Sequence, residues 1–79
     1  MPRLPILTGR EVIKSLEKIG FEKRNQTGSH VHLIGINKEG KKHVVTVPDH
    51  GNKELPPGTL LSIIRQSGLS RDEFIKLLS

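Results

Sequence analysis

Two changes in the spacing of apolar residues divide the chain into a helical start, a strand-rich middle and a helical end. The first segment repeats its apolar residues at helical intervals and predicts a helix over residues 9–19. Thr8 and Glu11 form a capping box at its start, and Gly20 has the position of a left-handed cap at its end. The predicted apolar face consists of Val12, Ile13, Leu16 and Ile19.

From residue 21 the spacing of apolar residues changes to that of strands, and the first segment is polar on average, which indicates a strand with one solvated face. The predicted strands cover residues 21–26, 30–36 and 43–47, with turns at 26–28 and 37–40. Because the connections are this short, we expect three antiparallel strands in meander order.

The last third of the chain returns to helical spacing. Pro56 and Pro57 begin a second helix, Gly68 ends it, and a short third helix follows Ser70, which forms another capping box with Glu73. The order α-β-β-β-α-α predicts an α+β fold of two layers, with the helices on one face of the sheet. A chain of 79 residues is expected to form a single domain, 1–79, without a deep enclosed site.

The middle of the chain contains a segment that does not look like an ordinary core strand. A turn with Gly28 leads directly into a strand that contains His30 and His32. Side chains of a strand alternate between faces, so both histidines share one face while Val31 and Leu33 enter the core. Gly28 permits a tight turn and leaves the approach to His30 open. This pattern predicts a site on the sheet.

Charge then indicates what such a site would bind. Thirteen Lys and Arg residues against eight Asp and Glu residues give a formal net charge of +5. Such an excess favours an anionic partner, with nucleic acid first, a membrane surface second and an acidic protein third. No Tyr or Trp is present, so aromatic platforms for base stacking are not expected. The sequence contains no signal peptide or membrane-spanning segment, which predicts a cytoplasmic protein without membrane attachment.

Histidine chemistry suits RNA cleavage, because RNA supplies its own nucleophile and the protein needs only a base, an acid and positive charge. His30 is the main candidate for the acid or base. His32 either orients the substrate or shares the proton transfer, and His50 is another acid–base candidate. Each has a simpler interpretation as a solvated histidine. The residues expected to contact phosphates, or merely to solubilise the surface, are Lys23, Arg24, Lys41 and Lys42.

A metal site is not expected. The chain lacks cysteine, and Asp49 is the only carboxylate next to a histidine in the sequence. The prediction therefore includes neither a metal nor another cofactor.

Several segments, taken in their order along the chain, resemble the HicA toxin family. They are residues 12–21, the motif Gly28-Ser29-His30, and residues 45–55, 57–60 and 63–69. The resemblance implies a double-stranded-RNA-binding-domain-like fold, here with an extra short C-terminal helix. It also implies a small endoribonuclease toxin that cleaves mRNA without a metal, inhibits translation and is held inactive by a HicB antitoxin. The family's catalytic histidine corresponds to His30, with Gly28 and Ser29 as its supporting neighbours.

Two other classes of function remain open from the sequence. One is a non-catalytic RNA-binding module of the same fold. In that case His30→Ala would leave the biological effect of the protein unchanged. The other is a protein-interaction domain whose basic surface binds an acidic partner. Only a measurement of RNA-cleaving activity distinguishes these two classes from the nuclease.

Overall fold

The computed structural model describes residues 4–37 and 39–78, so Lys38 of the predicted turn and the ends of the predicted single domain lie outside it. The elements follow the predicted order α-β-β-β-α-α. They are α1 (Gly9–Lys18), β1 (Glu22–Thr27), β2 (His30–Ile36), β3 (Lys42–Pro48), α2 (Pro57–Ser67) and α3 (Arg71–Lys76). This order, with one three-stranded antiparallel sheet, confirms the α+β fold of the double-stranded-RNA-binding-domain type.

Helix α1 has the predicted caps at both ends. Thr8 Oγ1 accepts a hydrogen bond from Glu11 N at 3.3 Å, and Glu11 Oε1 accepts one from Thr8 N at 2.9 Å. At the other end Phe21 N donates to Leu16 O at 3.2 Å, which turns the chain into β1. The helix ends at Lys18, one residue before the predicted end, because Ile19 has already left helical geometry.

The sheet has the order β1-β2-β3. Strand β3 is one residue longer at each end than predicted, because its pairing with β2 extends from Lys42, opposite Ile36, to Pro48, opposite His30. The register between β1 and β2 shifts at Arg24, which forms an irregularity of the bulge type in an edge strand.

The core lies between one face of the sheet and the helices. Val31, Leu33, Val45 and Val47 supply the sheet side. The helices contribute Val12, Leu16, Leu60, Ile63, Ile64 and Phe74, all in the same cluster. Burial of each such side chain stabilises the fold by about 1.5–3 kcal/mol. The helices therefore cover this face, as predicted, and leave the other face of the sheet uncovered.

Helix α2 begins and ends where the sequence predicts, and α3 begins at the predicted cap. Pro56 is the N-cap residue of α2, and Gly68 in the left-handed conformation ends this helix. Ser70 and Glu73 form the capping box of α3. Within the described ranges, no helix is both long and apolar enough to cross a membrane.

Candidate functional site

A tight hairpin turn determines the position of His30. Thr27, the last residue of β1, pairs with His30, the first of β2, so only Gly28 and Ser29 connect the two strands. Gly28 has a φ of 59°, a left-handed value at the first turn position, as type II′ hairpins require. Gln26 Nε2 also donates to Gly28 O at 3.0 Å. The turn places His30 at the sheet margin with an exposed side chain.

A second loop meets this turn from β3. Asp49 N donates to Ser29 O at 2.7 Å, and Gly51 N donates to Asp49 Oδ1 at 3.1 Å. As a result, His50 Nε2 lies 3.5 Å from Ser29 Oγ, at the limit of a hydrogen bond. The structure thus brings His50 to the turn that contains Ser29 and His30, although His50 lies 21 residues after Ser29 in the sequence.

Helix α1 closes the site from the core side. Its first residue, Gly9, lies so close to β3 that an added Cβ would overlap the carbonyl oxygen of Pro48. The next residue, Arg10, has its Nε 3.4 Å from Asp49 Oδ1. Arg10 was not among the predicted site residues. Its sequence position two residues after the N-cap Thr8 indicates an exposed first-turn residue, but its pairing with Asp49 depends on how the helix packs.

His32 lies two residues beyond His30 on the same, helix-free face of β2, as the alternation predicts. It is half-buried, and its Nδ1 lies 3.1 Å from Oγ1 of Thr46, the residue opposite it on β3. Thr46 was also missed at the sequence level. The available signal was its position between Val45 and Val47, which places it on the face opposite the core.

The ring of His30 is free by comparison. Among residues 4–37 and 39–78, no hydrogen bond or ion pair involves its side chain. An exposed imidazole with both nitrogens available can contact a substrate directly.

The four predicted phosphate-binding residues do not form one patch around His30. Lys42 lies opposite Ile36, six residues along β2, which corresponds to about 20 Å of strand, and Lys41 precedes it. Both are exposed.

The other two basic residues lie on β1. Lys23 pairs with Leu33 and therefore points toward the helix side, where it lines a shallow groove with Arg10, Lys14 and Glu17. Arg24 occupies the bulge, with its Nη2 3.8 Å from Glu22 Oε2. The predicted basic residues therefore form separate groups, one on β1 and one at the end of the sheet distant from His30.

His43, the remaining histidine, lies on the helix side of the sheet. It contacts Asn37 Nδ2 at 3.3 Å through its Nε2, and its ring fills the space where a Cβ of Gly68 would lie. This position agrees with a structural role and separates His43 from the other three.

In the part of the chain that the structure describes, no three His, Asp or Glu side chains are grouped closely enough to hold a metal ion. A pocket at the opposite end of β2 is lined by Ile19, Phe21, Ile36, Leu69 and Leu77 and contains none of the predicted site residues.

Comparison with known proteins identifies a family whose model matches most of the chain. The family model described as the HicA toxin of bacterial toxin–antitoxin systems matches residues 9–69 of the 79-residue chain. The matched range includes the whole sheet, α1, α2, and the Gly28, Ser29 and His30 motif. A search of curated proteins gave no match.

Proposed function

Because the chain belongs to the HicA toxin family of bacterial toxin–antitoxin systems, we propose that it is an endoribonuclease that cleaves mRNA and thereby inhibits translation and growth. The substrate is single-stranded RNA, and the protein acts in the cytoplasm, where mRNA is translated. Its inhibitor is a cognate antitoxin of the HicB type. No cofactor takes part in this proposal.

The observation that carries the proposal is the exposed ring of His30 at the first residue of β2. An imidazole exchanges protons near neutral pH and can act as general acid or general base. In RNA cleavage the 2′-hydroxyl loses its proton and its oxygen attacks the adjacent phosphorus. The bond from phosphorus to the 5′-oxygen breaks, and that oxygen gains a proton. The products are a 2′,3′-cyclic phosphate and a 5′-hydroxyl.

The surroundings of His30 support contact with a phosphodiester. Gly28 carries no side chain that could obstruct the ring, and Ser29 and His50 supply neighbouring polar groups. Arg10 adds a guanidinium at the edge of this cluster, where its exposed part can face an anion. In this proposal Lys23 and Arg24 contact the RNA backbone on one side of His30, and Lys41 and Lys42 contact it further along the sheet.

The test of this function compares the wild type with His30→Ala after induced expression. We expect growth arrest and mRNA fragmentation from the wild type only, and purified wild type should leave 2′,3′-cyclic phosphate ends on RNA. Loss of a general acid or base lowers the rate by about 10²- to 10⁴-fold. Circular dichroism and thermal unfolding of the variant show whether it is folded.

Two results would contradict this proposal. Products with 5′-phosphate ends would contradict the chemistry. Equal growth arrest by the wild type and His30→Ala, without RNA fragments, would instead favour the non-catalytic RNA-binding module.

A further inference from the structure

Thr46 connects His32 to helix α2 through a short series of hydrogen bonds. Thr46 N donates to Gln66 Oε1 at 2.9 Å, and Gln66 Nε2 donates to Ser62 Oγ at 3.1 Å. Thr46 is therefore held from the helix side of the sheet edge, while its hydroxyl lies 3.1 Å from His32 Nδ1. The His32 ring thus has a fixed orientation that His30 lacks.

The bond to Thr46 uses only one nitrogen of the ring. Within the described ranges, Nε2 of His32 has no hydrogen-bond partner. An imidazole held at one nitrogen and available at the other is the usual arrangement of a catalytic histidine, because the held nitrogen fixes the direction of the ring.

The spacing of the two histidines suits a single phosphodiester. Residues i and i+2 of a strand lie roughly 6.6 Å apart at Cα and extend in the same direction. His30 and His32 can therefore contact two different oxygens of one linkage without contacting each other. His50 fits this role less well, because its one contact, Nε2 to Ser29 Oγ at 3.5 Å, is at the limit of a hydrogen bond and holds the ring less firmly than Thr46 holds His32.

We propose that His32 is the second catalytic residue, the acid–base partner of His30, and that Thr46 is the residue that positions it; this inference rests on the proposed RNA cleavage. One imidazole accepts the proton of the 2′-hydroxyl as the 2′-oxygen bonds to phosphorus. The other donates a proton to the 5′-oxygen as its bond to phosphorus breaks. The two rings exchange protonation states, and neither water nor a metal is consumed.

The first variant is His32→Asn, whose amide can keep the contact with Thr46 but lacks a group at the position of Nε2. We expect kcat/KM on an RNA oligonucleotide to fall about 10²- to 10⁴-fold, with an unchanged thermal unfolding midpoint. The wild-type pH–rate profile should be bell-shaped, since one ring must be protonated and the other neutral, and the variant should lose one limb. A wild-type rate with both limbs intact in His32→Asn overturns the inference.

The matched control is His43→Asn, the same chemical change on the helix side of the same sheet, which should leave cleavage at the wild-type rate.

The positioning role of Thr46 is tested with two variants. Thr46→Val removes the hydroxyl while keeping the shape of the side chain, and Thr46→Ser retains the hydroxyl. Thr46→Val should lower kcat more than it raises KM, and Thr46→Ser should recover most of the rate. Equal rates for both Thr46 variants contradict the positioning role.

A modified substrate separates the acid from the base. When sulfur replaces the leaving 5′-oxygen, departure needs no proton, so loss of the acid becomes harmless. Exactly one of His30→Ala and His32→Asn should then regain the wild-type rate; recovery of both or neither contradicts the division of roles. If the wild type itself cleaves no RNA, the proposed function fails, whereas an active wild type with a fully active His32→Asn refutes only this inference.

Discussion

At the residue scale, the site depends on two positions that have no side chain. Gly28 provides the left-handed turn that begins β2 at His30. Gly9 lets α1 start directly on the end of β3, where a Cβ would overlap the Pro48 carbonyl. That carbonyl belongs to backbone and cannot rotate away as a flexible side chain would. The contact of α1 with β3 therefore helps to fix the loop that contains Asp49 and His50.

Gly9→Ala tests this contact. We expect the free energy of unfolding to fall by roughly 1–3 kcal/mol, because the added methyl forces the start of α1 away from β3. The measurement is urea denaturation followed by circular dichroism. Gly58→Ala is the matched control, since Gly58 is also in the first turn of a helix but has no atom within 4 Å of an added Cβ. A stability of Gly9→Ala equal to that of this control would contradict the packing argument.

Some residues of the candidate site are placed by local sequence pattern, and others are placed by contacts with distant parts of the chain. The shared face of His30 and His32 was predictable, because side-chain alternation is a property of any strand. The contact of Thr46 with His32 was not, since it requires the register between β2 and β3. The pairing of Arg10 with Asp49 needs the packing of a helix on a strand end, which no local pattern specifies.

At the scale of elements, the same division holds. Both capping boxes and the glycine at the end of α2 were predictable because each involves residues only a few positions apart. The ends of β3 were not, since Lys42 and Pro48 join the strand only through their partners on β2. The attachment of α2 to the exposed edge of β3 through Gln66 is likewise a tertiary feature.

Gln66→Leu tests that attachment. The Thr46 amide would lose its acceptor in a partly buried place, so the free energy of unfolding should fall by about 1–3 kcal/mol. An unpaired edge also favours strand pairing between molecules, so more dimer or aggregate is expected by light scattering. Gln66→Glu retains an oxygen acceptor and should be closer to the wild type in both measurements. Equal destabilisation by Leu and Glu would show that the hydrogen bond to Thr46 does not contribute.

At the scale of the whole molecule, the placement of charge matters more than its total. Lys41 and Lys42 lie at the far end of the sheet from His30, whereas Lys23, opposite Leu33, and Arg10 lie nearer to His30 but on the helix side. An RNA strand that contacts both His30 and Lys42 must extend along the uncovered face of the sheet, because both residues lie on that face. The distance between Lys42 and His30, about 20 Å of strand, spans several nucleotides.

This geometry predicts how RNA affinity depends on salt. Binding of single strands weakens with a log–log slope of about −0.7 for each phosphate that a cation neutralises. If Lys41 and Lys42 each contact one phosphate, the double variant Lys41→Gln/Lys42→Gln should bind long RNA less tightly, with a slope shallower by about 1.4. The control Lys18→Gln/Lys76→Gln loses the same charge from α1 and α3, where Lys18 contacts Leu77 O instead of facing the sheet. The slope of this control should match that of the wild type, because it changes only the net charge. Equal slopes for the two double variants would mean that RNA affinity depends on total charge and that RNA does not extend along the sheet.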